Sequence, residues 1–73
     1  MAKTTLNKLP KNVLNKVEEF KTRYTNLSAT GSLREMKMKD EIRIRMASYV
    51  EGLRDAGLIT ERERQIIFVY MTV

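Results

Sequence analysis

From Leu9 onward, apolar side chains recur every three or four residues, at Leu9, Val13, Val17, Phe20, Tyr24 and Leu27. That spacing draws one stripe down an α-helix and predicts a helix over roughly residues 10–26. Pro10 can open it, because the missing proline N–H costs nothing in a first turn. Residues 26–32, Asn-Leu-Ser-Ala-Thr-Gly-Ser, break the pattern and read as a turn. Ser32 followed by Glu35 is a capping-box pair and predicts the start of a second helix running to Ala56. Its stripe is Met38, Ile42, Met46, Tyr49, Val50, Leu53 and Ala56. Gly52 lies inside this helix, where it suggests a close helix crossing, and Gly57 suits a left-handed residue just past the end. Thr60 and Glu63 make a second capping box, for a third helix over about 61–71. Its apolar residues, Ile66 through Met71, point in all directions, so it needs cover on several sides. Two other helices or a second subunit can supply that cover.

A competing pattern overlaps the second helix. Met36-Lys37-Met38-Lys39 and Ile42-Arg43-Ile44-Arg45-Met46 alternate with period two, as a strand does. The strand reading implies a ribbon-helix-helix dimer with its ribbon in a DNA groove. Asp40 and Glu41 interrupt that register whereas the helical stripe continues, so helix is preferred. Residues 1–9 read as a flexible basic arm. The expected architecture is all-α: one helical domain over 1–73, a small three-helix bundle with a long central helix.

Composition narrows the chemistry. With 73 residues and 42% apolar content there is room for a single small core. The chain has no cysteine and no histidine, which removes disulfides, thiolate sites and the Ser-His and Cys-His mechanisms. Glu51 and Asp55, four apart on the second helix, are the best carboxylate pair for a cation or a shared proton, but such spacing recurs on solvated helices. No glycine-rich phosphate loop accompanies them. The reading is therefore no enzyme, no cofactor and no metal.

Charge points to partners. The net charge is +5. Residues 1–39 carry nine basic and three acidic side chains, while residues 40–73 carry five basic and six acidic ones. The excess belongs to the first half, where Lys3, Lys8, Lys11 and Lys16 can meet phosphates. Lys37, Lys39, Arg43 and Arg45 add a second row if the first two helices form an antiparallel hairpin. Double-stranded DNA is the polyanion such a surface suits, although a lysine-rich solvated helix face has the same composition. Residues 1–20 lack the continuous apolar stretch of a secretory leader, and the run Ile66–Met71 is far too short to span a bilayer. No membrane association is expected, and the cytoplasm is the expected location.

The long helix also carries apolar side chains away from its main stripe: Leu33, Met36, Ile44 and Ala47. With Ile67, Phe68, Tyr70 and Met71 of the last helix, Leu33, Met36 and Ile44 predict a homodimer interface. Met38 and Met46 are read as core. Leu58-Ile59-Thr60-Glu61-Arg62-Glu63-Arg64-Gln65-Ile66-Ile67 resembles the opening helix of the helix-turn-helix in LuxR-type regulators and in region 4 of bacterial sigma factors. The resemblance implies a shared way of starting a helix and supplies no set of base-reading residues. The last two helices could themselves form a helix-turn-helix, with Arg62, Arg64 and Gln65 reaching bases. Two functions compete: a small non-enzymatic DNA-binding regulatory or accessory protein acting as a homodimer, and a helical adaptor or inhibitor docking a protein partner through apolar surface.

Overall fold

The computed structural model describes residues 2–27 and 33–73. These form four helices: α1 Ala2–Asn7, α2 Lys11–Asn26, α3 Leu33–Asp55 and α4 Glu61–Thr72. The architecture is all-helical, with one helix more than the sequence pattern predicts. Residues 36–46 lie within α3, which overturns the ribbon-helix-helix alternative.

The additional helix lies in the segment read as a flexible arm. Residues 2–7 are helical, Leu6 and Thr5 are buried, and α1 packs on α4. The helix ends in a tight turn, with Lys8 N–H donating to the Thr5 carbonyl (3.2 Å) and Leu9 N–H to the Leu6 carbonyl (3.1 Å). Six residues cannot hold a helix alone, since isolated helices shorter than about 12–15 residues are marginal in water. Tertiary contact with α4 makes this one, and such contact leaves no periodic signal in so short a stretch.

α2 begins one residue later than the pattern suggests, because Pro10 adopts an extended conformation (ψ 149°) and serves as the N-cap. It buries Val13, Val17, Phe20 and Tyr24, four members of the stripe read from sequence. α3 buries Ile42, Met46, Val50 and Leu53. Phe20 stacks obliquely on Tyr49 with ring centroids 5.7 Å apart, while Tyr24 meets Arg43. Later residues of α2 thus meet earlier residues of α3, and the two helices run antiparallel. The capping box at Ser32 falls on a residue outside the described ones, as does most of the turn at 26–32.

Three details of α3 differ from expectation. Met38 is 43% exposed and not core, because no residue from 33 to 41 is buried and the core of α3 begins at Ile42. Ala56 is exposed and lies beyond the helix end. Gly52 marks no close crossing, since a Cβ built there meets nothing within 4 Å.

The α3–α4 corner follows its sequence signals. Gly57 takes the left-handed conformation (φ 78°). Leu58 N–H donates to the Leu53 carbonyl (3.0 Å) and Gly57 N–H to the Arg54 carbonyl (2.9 Å), the paired bonds of a Schellman C-cap. Thr60 Oγ1 accepts from Glu63 N–H (3.2 Å), while Glu63 Oε1 accepts from Thr60 N–H (2.9 Å), completing the capping box.

α4 packs against α1, α2 and α3. Ile67 and Met71 are consequently fully buried within the chain, not held open for a second subunit. Phe68 and Tyr70 are half-buried against the same core. α2 and α3 supply most of that cover, and α1 adds to it.

Candidate polyanion-binding surface and exposed apolar face

The structure distributes the eight predicted phosphate-binding side chains over three helices and one connection. Lys3, Lys8, Lys11, Lys16, Lys37, Arg43 and Arg45 are exposed and Lys39 is half-buried. They do not form one unbroken row. The tightest grouping lies where α2 meets α3. Lys39 Nζ sits 4.7 Å from the centroid of the Tyr24 ring, and the Arg43 guanidinium carbon lies 5.7 Å from it. One turn apart on α3, these two cations are drawn to the negative face of one aromatic ring. Arg43 also donates to the Tyr24 hydroxyl (2.7 Å), and that bond leads the effects that hold its guanidinium even more firmly in the charged form. Asp40 lies 3.5 Å from Arg43. Lys16 repeats the motif on α2, with Nζ 5.1 Å from the Phe20 ring centroid. In each case the charged head of the side chain lies over the ring of a core aromatic.

A second basic grouping was not legible as such in the sequence. A cleft between α1 and the start of α4 is lined by Thr4, Thr5, Lys8, Arg62, Glu63 and Ile66, among others. Lys8 is close enough to help lower the pKa of Glu63, whose main stabilisation is its hydrogen bond from the Thr60 backbone. The cleft carries charge of both signs.

Charges at the α3–α4 corner are satisfied among themselves. Glu61 accepts from Arg64 (2.6 Å to Nη2), Arg54 and Gln65. These bonds, led by Arg64, hold the Glu61 carboxyl down at about 2. Arg54 also contacts Asp55 at 3.4 Å. Two of the three side chains that a helix-turn-helix reading assigns to bases, Arg64 and Gln65, are therefore turned onto Glu61. Glu51 and Asp55 gather no third ligand, and among the described residues no group of three or more metal-ligating side chains exists.

Lys21, which no motif singles out, has a structural role. Its Nζ donates to the Tyr70 carbonyl (2.8 Å) near the end of α4 and lies 4.3 Å from the Tyr70 ring centroid. A cation there complements the negative end of the helix. The Tyr70 hydroxyl donates to Glu18 (2.6 Å), which raises the tyrosine pKa and ties α4 to α2 a second time.

The remaining feature is apolar. Leu33 is 82% exposed, Met36 55% and Ile44 66%. Leu33 and Ile44 lie on the side of α3 turned away from Ile42, Met46 and Leu53, and Met36 lies on its flank. Phe68 and Tyr70, assigned to the same interface from sequence, lie on a different helix and pack largely on the monomer's own core. Among the described residues no helix is long and apolar enough to cross a membrane. No family model matches this chain, and no curated protein and no solved structure is similar to it, so a functional reading rests on these surfaces alone.

Proposed function

We propose that this is a small non-enzymatic DNA-binding protein that holds the phosphate backbone with the basic surface of α2 and the first half of α3. The observation that carries the reading is the placement of Lys39 and Arg43 over the one Tyr24 ring. Two like charges fixed side by side attract an anion more strongly than either alone, and the ring limits the ordering cost of holding them. The acids of the α3–α4 corner support it, because Glu61 and Asp55 are engaged by Arg54 and Arg64 at that corner. Contacts of this kind position a protein on a duplex without reading its sequence.

The test is salt-dependent binding to a short DNA duplex. The triple variant K11Q/K16Q/K39Q is expected to weaken binding on unrelated duplex sequences alike. It should also flatten the slope of log affinity against log salt by about 0.9 for each phosphate no longer neutralised. Circular dichroism checks that the fold is retained. Absence of parent binding at about 50 mM salt defeats the proposal, since electrostatic affinity is strongest when salt is low. The exposed Leu33, Met36 and Ile44 favour a second reading, docking of a protein partner, whose affinity would depend much less on salt.

A further inference from the structure

We infer that the outward face of α3 pairs with the same face of a second copy of this chain, antiparallel, about a two-fold axis passing between residues 38 and 39. Leu33, Lys37, Asp40 and Ile44 follow one another at spacings of four, three and four along α3. That is the spacing of a helix–helix seam. All four are exposed, so the seam is open in the monomer. In the antiparallel arrangement each residue faces the one whose number, added to its own, gives 77. Leu33 then meets the partner's Ile44, and Lys37 meets the partner's Asp40. The symmetry repeats both pairs, so a two-fold interface made from this one strip is self-complementary in shape and in charge. Met36 flanks the seam beside Leu33.

Other arrangements of the same face are poorer. Parallel pairing opposes Lys37 to the partner's Lys37 and Asp40 to the partner's Asp40. A shift of one heptad, in which opposed numbers add to 84, sets Leu33 against the partner's Glu51 and Asp40 against the partner's Ile44. A two-fold axis through Ile44 leaves Leu33, 82% exposed, facing the partner's Asp55. The first arrangement alone joins apolar to apolar and cation to anion along the whole strip. Three turns of helix per subunit make a small interface, at or below the low end of about 1,200 Å² for specific complexes. The association is therefore weak and is read at about 100 μM protein. This inference does not rest on DNA binding, and either can fail without the other.

The absence of cysteine in the chain allows a direct test of the register. L33C and I44C variants are prepared separately and treated with a short bismaleimide, alone and mixed. The expected result is a covalent dimer in the mixture and not in either variant alone. In a homodimer of either single variant the two cysteines would lie about 16 Å apart along the seam, beyond the reach of the short cross-linker. Cross-linking of L33C alone would show a parallel pair, and of I44C alone an axis at Ile44; either overturns the proposal. No cross-link in any sample at about 100 μM overturns it as well. Charge exchange gives a second readout, by sedimentation. K37E and D40K should each abolish self-association, while mixing the two variants, or combining both changes in one chain, should restore it. Both positions are exposed, so helix content by circular dichroism should not change. Self-association unaffected by the single exchanges would place the interface elsewhere.

Discussion

Glu61 shows how much one exposed side chain can organise. Its carboxylate is shared by Arg64, Arg54 and Gln65 in the first turn of α4, where the helix dipole also favours negative charge. The folded pKa of about 2 lies below the ordinary value of 4.5. The charged form is thus favoured by folding. Its contribution to stability is complete above about pH 4.5 and is lost as pH falls from there towards about 2. Urea midpoints of the parent and E61Q should differ at about pH 6 and converge near pH 2. A gap that stays constant across that range would mean that the carboxylate's charge does not matter. The methionines show what residue type alone leaves open. Met46 is fully buried and Met38 is 43% exposed, although both fit the same periodic stripe. The difference is position along the helix, because the buried residues of α3 begin only at Ile42.

Among the elements, the α3–α4 corner is the one whose sequence and structure agree most closely. Gly57 and the Thr60–Glu63 box are local devices, each satisfying backbone groups within a few residues, so they can be read without knowing the fold. The two glycines of this region serve different ends. Gly57 has a positive φ of 78°, whereas Gly52 is helical with open space around its Cβ position. G57A should therefore destabilise by about 1–2 kcal/mol. G52A should stabilise by about 0.4–1 kcal/mol, through loss of unfolded-chain entropy. Urea denaturation of both variants decides this, and equal effects would remove the conformational distinction. α1 is the opposite kind of element. It has no capping box and no apolar stripe, and its helicity comes from burial of Leu6 and Thr5 as it packs against α4.

In the assembled fold, α4 is the hub, touching each of the other three helices. L6A tests whether the packing of α1 on it is part of the fold. It should cost about 2–5 kcal/mol in global stability, as truncation of a buried leucine does. A loss below about 0.5 kcal/mol, the range of surface substitutions, would return residues 1–9 to the status of an arm. The same hub explains why the expected interface divides. Ile67 and Met71 are enclosed by the chain itself, while Leu33, Met36 and Ile44 stay exposed on α3. The molecule extends 37 Å along its longest axis, and α3, at about 34 Å, spans nearly all of it. The first turns of α3 thus lie beyond the buried core, with basic and apolar side chains both available at the surface.

The three longer helices, the buried stripe of α2, the lower stripe of α3 and the corner at Gly57 and Thr60 were all legible in the order of residues. Periodicity and capping are short-range and act through neighbours three or four residues apart. The concentration of basic charge in the first half was legible too, since that is a count along the chain. Packing had the deciding voice elsewhere: residues 2–7 are a helix, Ile67 and Met71 are core and Met38 is not. It also brought Lys39 and Arg43 to Tyr24 and Lys21 to the end of α4. Those outcomes depend on which surfaces meet across long separations in the chain. The free energy of burial belongs to the pair of surfaces that close on each other, and neither segment encodes it alone.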